Sequence, residues 1–155
     1  MDVSLKYAVV ERERRFLVSE VPAGVVEVRT IVDRYVTGTR LRLREVTDGD
    51  GNVVRKLTQK VRLSTGPAEV ACTNLYLDDA EWSLVRELPA RSLRKTRHVV
   101  ERDGWRIVVD EFEDGTLLAE IDDAHEHPRP VPDWLLVIED VSDDERWTGH
   151  GLATG

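Results

Sequence analysis

The feature that most constrains this chain is the alternation of charge in the segment 11–18. Glu11, Glu13 and Arg15 occupy every second position, and the segment ends in three apolar residues. A β-strand points every second side chain to the same face, so a strand here would place two carboxylates and a guanidinium together. Such a face predicts a wet, charged cavity of the kind that suits metal ions and phosphate.

The same alternation recurs in later segments. The residues that share a parity are Arg40, Arg42 and Arg44; Lys56 and Lys60; Lys95 and Arg97; and Glu120 and Asp122. In an ordinary half-buried sheet, a charged face of this kind simply points to water. Here the signs segregate by strand, and like charges that lie close together repel one another. We expect such ladders to persist where a ligand of opposite sign neutralises them.

The two kinds of ladder suit two kinds of ligand. Arginine and lysine suit phosphate oxygens, since arginine gives bidentate contacts and lysine a point charge. Paired carboxylates suit hard divalent cations such as Mg²⁺ or Mn²⁺. Closure of the sheet would gather both sets around one lumen. This combination predicts an apparatus for phosphoryl transfer.

Short strand patterns dominate the chain. Strands are predicted over 7–18, 25–36, 39–47, 53–63, 92–102, 104–113, 116–122 and 134–142, with a weaker candidate over 68–77. A cap at Asp78 or Asp79 predicts one helix, with Trp82 facing inward and Pro89 after its end. A short helix is predicted after Asp143. Many strands with few helices indicate a mainly β domain, either a sandwich or a barrel.

Composition excludes several classes of protein. The 155 residues include 30 acidic and 22 basic residues, a formal net charge of −8, which disfavours a nucleic-acid-binding surface. Cys72 is the only cysteine, so no internal disulfide and no thiolate zinc site can form. The sequence has no apolar run long enough to span a bilayer. We therefore expect a cytoplasmic protein with no membrane partner.

The charged segments resemble those of the CYTH, or triphosphate tunnel metalloenzyme, superfamily. Its E-x-E-x-K strand is matched by Glu11 to Arg15. The later motifs are matched, in family order, by Arg42-Leu43-Arg44, Leu57-Thr58-Gln59-Lys60, Arg94-Lys95-Thr96-Arg97, Val109-Asp110-Glu111-Phe112, Leu118-Ala119-Glu120-Ile121-Asp122 and Glu139-Asp140-Val141-Ser142. The resemblance extends from about residue 7 to about residue 153.

The resemblance implies a closed antiparallel eight-stranded β-barrel with a charged lumen, spanning residues 1–155 as one domain. It implies that phosphate is bound by Arg15, Arg42, Arg44, Lys60, Lys95 and Arg97. It implies Mg²⁺ or Mn²⁺ held by Glu11, Glu13, Glu120 and Asp122. Glu11, Glu13, Glu120 and Lys95 would be catalytic, and Asp110 and Asp140 are further candidates for the lumen.

The implied activity is hydrolysis of inorganic triphosphate or a small organic triphosphate by a monomer or homodimer. The alternatives are an adenylate cyclase of the same superfamily and a non-catalytic sensor of polyphosphate or nucleotide. Arg15 stands where the family prefers lysine, and Cys72 and Asn74 stand where it has a central acidic pair. The missing acidic pair favours the sensor among the alternatives.

Overall fold

The structure is a computed structural model that describes residues 2–155. The strands are β1 (Val9–Val18), β2 (Val25–Val36), β3 (Leu41–Thr47), β4 (Val53–Arg62), β5 (Glu69–Tyr76), β6 (Ala90–Arg102), β7 (Trp105–Phe112), β8 (Leu117–Asp122) and β9 (Val137–Asp140). The helices are α1 (Asp79–Val85) and α2 (Gly149–Leu152), and a 3-10 turn spans Glu145–Trp147.

Eight of these strands close into an antiparallel barrel. The strand order is β5-β4-β3-β2-β6-β7-β8-β1, and pairing between β5 and β1 completes the ring. The first half of β1 pairs with β5, and its second half pairs with β8. The strand β9 continues the wall beside the end of β1. The predicted fold class, a closed eight-stranded barrel with few helices, is confirmed.

The apolar residues of this barrel pack on its outer face. Phe16 on β1, Val109 on β7 and Ile121 on β8 alternate with charged residues of the opposite parity, and all three are buried in one cluster. The segment between β8 and β9 covers this cluster with Leu135 and Trp134. Because the hydrophobic core lies outside the wall here, the lumen is left to the polar side chains.

A second outer cluster lies beneath α1. Asp78 caps this helix, because its side chain accepts a hydrogen bond from the Glu81 amide while the Glu81 side chain accepts one from the Asp78 amide. The helix then buries Trp82 against Leu43 of β3 and Leu57 of β4. Both leucines alternate with cationic residues, so this packing turns those cations toward the lumen.

The C-terminal segment packs at one end of the barrel. Arg62, at the end of β4, makes a bidentate ion pair with Glu145. Ser92 and Thr154 exchange two backbone hydrogen bonds of 2.7 and 2.9 Å. Gly149 lies against the Tyr35 hydroxyl. Within the described residues, no helix is long and apolar enough to cross a membrane.

Candidate functional site

A cavity of about 170 Å³ lies inside the barrel, and its lining is almost entirely polar. Seven cationic side chains line this central cavity: Arg15, Arg42, Arg44, Lys56, Lys60, Lys95 and Arg97. The carboxylates Glu11, Glu13 and Glu120 line it as well. The remaining lining residues are Tyr35, Cys72, Asn74 and Gly149. The cavity therefore carries a cationic excess within a protein whose net charge is −8.

A buried carboxylate on β2 holds the arginines of β3 in place. Arg44 lies opposite Asp33 in the strand register and donates to it two hydrogen bonds of 2.6 and 2.7 Å. Asp33 has no exposed surface. Burial alone would raise the pKa of Asp33, but Arg44, Arg42 and Lys95 together lower it to about 2. Asp33 therefore stays ionised and fixes the guanidinium that faces the cavity.

The same arrangement is repeated between β6 and β7. Asp110 is fully buried and lies 2.7 Å from the Lys95 ammonium. Arg97 adds two hydrogen bonds of 2.8 Å to the same carboxylate. Burial opposes ionisation of Asp110, yet the two cations hold its pKa below the ordinary value. Burial also lowers the pKa of Lys95, and the adjacent Asp110 counteracts that effect.

Each carboxylate that lines the central cavity has a cationic neighbour. The Lys60 ammonium lies 3.4 Å from Glu11, and Arg15 donates to Glu13 at 3.0 Å. Arg97 reaches Glu120 at 3.5 Å. All three carboxylates come from the adjacent strands β1 and β8, so the acidic side of the cavity faces basic strands.

A chain of hydrogen bonds crosses the wall formed by β3, β4 and β5. Arg42 donates to the Thr58 hydroxyl at 3.1 Å, and this hydroxyl lies 2.6 Å from Asn74 Oδ1. Thr58 is fully buried. The Nε of Arg42 is buried and has no hydrogen-bond partner within residues 2–155. Asp33 Oδ1 lies 3.9 Å from this atom, beyond hydrogen-bonding distance, so Asp33 neutralises the Arg42 guanidinium only in part.

Burial and like charge combine at Lys56. This residue lies directly opposite Arg44 in the register. Burial lowers the pKa of Lys56 to about 8, and the adjacent Arg44 and Arg42 reinforce the shift. Burial has the opposite effect on the Cys72 thiol, whose pKa is raised. The thiol therefore stays protonated at neutral pH and is poorly suited to be a nucleophile.

Most of the residues selected from the sequence line the central cavity. They are Glu11, Glu13, Arg15, Arg42, Arg44, Lys60, Lys95, Arg97 and Glu120. Asp110 lies directly behind Lys95 and Arg97, in contact with both.

Two of the selected carboxylates lie outside the cavity lining. Asp122 is opposite Glu13 in the register, but it is exposed at the end of β8. Its Oδ1 accepts hydrogen bonds from the backbone amides of Arg12 and Ala124, at 3.1 and 2.9 Å. Asp140 is exposed on β9, and its Oδ1 accepts hydrogen bonds from the backbone amide and the hydroxyl of Ser142. The predicted lumenal carboxylates are thus reduced to Glu11, Glu13 and Glu120 within the cavity lining.

Four residues that the structure brings to the site had no role assigned from the sequence. Lys56 and Tyr35 line the central cavity, and Asp33 lies behind it in contact with Arg44. The parity of Lys56 with Lys60 places the first of these in a basic ladder, so that pattern alone could have assigned it a role. Gly149 reaches the cavity from the C-terminal segment, and no alternating pattern marks it.

The acidic side of the cavity offers the type of ligand that a hard divalent cation binds. Its three lining acids provide carboxylate oxygens, the ligands that Mg²⁺ and Mn²⁺ prefer. However, residues 2–155 contain no group of three acidic, histidine or cysteine side chains gathered closely enough to hold an ion. Binding of a metal would therefore require at least one of the ion pairs of Glu11, Glu13 and Glu120 to open.

Comparisons with known proteins support the fold. No family model matches the chain, and no curated protein matches it. A crystal structure of the inorganic triphosphatase NE1496 is similar over 94% of this chain and 95% of that chain, with a TM-score of 0.58 and 23% identity. A crystal structure described as that of the hypothetical protein NE1496 gives a TM-score of 0.56 and 24% identity over 94% and 98% of the two chains. The chain therefore shares the fold of NE1496.

Proposed function

We propose that this protein is a metal-dependent triphosphatase that hydrolyses inorganic triphosphate or a small organic triphosphate inside its barrel. One observation carries the proposal: seven cations and three carboxylates line a single cavity inside the barrel. Polyphosphate is the ligand that such a cationic excess suits best. The shared fold with NE1496, which is named an inorganic triphosphatase, and the motif resemblance to the CYTH superfamily both support it.

In this proposal the basic strands bind the substrate. Arg42, Arg44 and Lys60 would bind phosphate oxygens from the β3–β4 wall, and Arg15 would do so from β1. Lys95 and Arg97 would bind from β6, where Asp110 fixes the direction of both side chains. Because Asp33 holds Arg44 and Asp110 holds Lys95 and Arg97 before substrate arrives, little reorganisation of these three side chains accompanies binding.

The acidic side would hold the metal. Glu11, Glu13 and Glu120 would bind Mg²⁺ or Mn²⁺, which when bound supplies charge neutralisation and an activated water. Lys95 would have a catalytic role, since its ammonium has three protons and its contact with Asp110 uses one. Phosphoryl transfer leaves the protein little covalent chemistry, so positioning and electrostatics would carry the reaction.

A second candidate function is a sensor that binds polyphosphate or nucleotide without cleaving it. The three carboxylates of the cavity already have cationic neighbours, and the β5 wall adds Cys72 and Asn74 rather than acids. Tight binding of tripolyphosphate without phosphate release, in the presence of either metal, would favour the sensor over the enzyme.

The test of the enzyme is a phosphate-release panel. Purified protein would be assayed with tripolyphosphate, ATP and thiamine triphosphate, each with Mg²⁺, Mn²⁺ or a chelator. We expect metal-dependent release of orthophosphate from at least one of them. No release from any substrate with either metal would refute the triphosphatase, and pyrophosphate release from ATP without orthophosphate would indicate a cyclase instead.

The remaining expectations accompany this proposal. We propose that residues 1–155 form one domain and that the protein is a cytoplasmic monomer or homodimer. Its partner would be a triphosphate-containing small molecule, with neither a nucleic acid nor a membrane involved.

A further inference from the structure

Asn74 lies at the rim of the central cavity, near the end of β5. Cys72 pairs with Val9, the first residue of β1, and Asn74 lies two residues beyond that pair. The wall is therefore open beside Asn74, which is exposed and also lines the cavity. The opposite end of the cavity is lined by Gly149 of the C-terminal segment. A substrate entering from the open end would pass Asn74.

The hydrogen-bond chain through Thr58 fixes which way the Asn74 amide points. An arginine can only donate, so the Thr58 hydroxyl oxygen must accept from Arg42. The single proton of this buried hydroxyl is then available to donate to Asn74, 2.6 Å away. The atom of Asn74 that lies there is Oδ1, the acceptor that satisfies this proton. The Cys72 thiol lies 4.0 Å from the same oxygen, as a further weak donor.

The amide nitrogen of Asn74 is consequently free to donate a hydrogen bond to a ligand in the cavity. Within residues 2–155, Nδ2 of Asn74 makes no hydrogen bond to another side chain or to the backbone, whereas Oδ1 accepts from Thr58 and has the Cys72 thiol as a weak second donor. An amide NH₂ can donate to phosphate oxygen but cannot ligate a cation. The neighbouring cavity residues Lys56 and Lys60 are cations, so this wall as a whole suits an anion.

We propose that Asn74 is a phosphate-binding residue, oriented by Thr58 and Arg42, and that the β4–β5 wall contacts the triphosphate rather than the metal. This inference rests on the proposed function, because it assigns one more contact to the same substrate. It confines the metal to the carboxylates of β1 and β8. Because β5 pairs directly with β1, the phosphate side and the metal side meet where Lys60 of β4 lies 3.4 Å from Glu11.

The test measures tripolyphosphate binding by calorimetry without metal, in wild type, Asn74→Ala and Asn74→Asp. Removal of one hydrogen bond to a charged oxygen should weaken binding by about tenfold in Asn74→Ala. Asn74→Asp should weaken it further, because it keeps the acceptor for Thr58 but presents a negative charge to the anion. Gln59→Glu is the matched control, since it adds the same charge on β4 at the parity opposite to Thr58 and should change affinity little.

Three outcomes would overturn the inference. Equal affinity in all variants would show that Asn74 does not contact phosphate. Tighter Mn²⁺ binding in Asn74→Asp, with triphosphate affinity retained, would place the metal at this wall. Absence of tripolyphosphate binding by the wild-type protein, both without metal and with Mn²⁺, would refute the proposed function as well. Should the aspartate variant fail to fold, the uncharged Asn74→Ala still decides between contact and no contact.

Discussion

Lys56 is a lining cation whose protonation can change within the neutral to weakly basic pH range, so the charge of the cavity depends on pH through this residue. Arg42 and Arg44 on β3 face this lysine, and together with burial they lower its pKa to about 8. Cys72 on β5 and Glu11 on β1 act weakly in the other direction. A lowered pKa in a base means that the protonated form is disfavoured in the ligand-free protein. A bound anion would favour that form again, so anion binding near pH 8 should take up a proton.

The affinity for tripolyphosphate should therefore fall as the pH rises from about 7 to about 9. Lys56→Arg should weaken this dependence, because a guanidinium stays charged throughout the range. Calorimetric titration of both proteins in matched buffers measures the difference, and the ionisation of tripolyphosphate itself affects both alike. Identical pH profiles would show that Lys56 does not contribute to anion binding.

The limits of sequence reasoning are visible at the same scale. Parity alone identified the lining residues Glu11, Arg42 and Lys95, because side-chain alternation is a local property of a strand. It did not identify Asp33, since its same-parity neighbours Ile31 and Tyr35 carry no charge and form no ladder, and its role depends on Arg44 across the sheet. It misplaced Asp122, because capping of backbone amides at a strand end competes with the strand's alternation.

At the scale of elements, two buried carboxylates link neighbouring strands through ion pairs. Asp33 joins β2 to Arg44 of β3, and Asp110 on β7 holds Lys95 and Arg97 of β6. Without these acids, like-charged side chains would repel one another inside the barrel. A buried acid with a lowered pKa contributes stability that is present above its ordinary pKa and is lost as the pH falls through the lowered value.

Asp33→Asn should consequently destabilise the protein by about 3–5 kcal/mol at neutral pH, the usual cost of removing one partner of a buried ion pair. The difference in the free energy of unfolding between wild type and variant should shrink as the pH falls from the ordinary aspartate pKa of 3.8 toward the folded-state pKa of about 2. Urea unfolding followed by tryptophan fluorescence at several pH values measures this difference. The exposed turn variant Asp50→Asn is the control, and a gap independent of pH would contradict the account.

A second prediction at this scale concerns the contact between α2 and the barrel. An added Cβ at Gly149 would lie 1.8 Å from the Tyr35 hydroxyl, so the Tyr35 ring or the helix must shift. Gly149→Ala should lower stability by about 1–3 kcal/mol, as overpacking does. Gly49→Ala, where an added Cβ meets no atom within 4 Å, should be neutral in the same thermal melt. Equal melting temperatures for both variants would mean that α2 is not packed against Tyr35.

At the scale of the whole molecule, the barrel places its apolar residues outside the wall and its charged residues inside, whereas most small domains bury apolar residues at the centre. Its outer face buries the apolar residues under α1 and the β8–β9 segment, and its lumen carries the charge. The alternating pattern predicted the strands and their boundaries closely, because alternation is local to a strand. It left a sandwich or a barrel open, and the closed barrel was implied by the resemblance to the CYTH superfamily. The position of the C-terminal segment was not predictable in this way, since it depends on long-range contacts such as Arg62 with Glu145.

The central proposal for this molecule is that its cavity binds a metal ion and that triphosphate is cleaved there. The most direct measurement is phosphate release from tripolyphosphate, with Mg²⁺ or Mn²⁺, by wild type, Glu11→Gln and Glu87→Gln, the last being an exposed site beyond α1. We expect metal-dependent turnover in wild type and Glu87→Gln, and a loss of at least about 100-fold in Glu11→Gln. Full activity in Glu11→Gln would contradict the account.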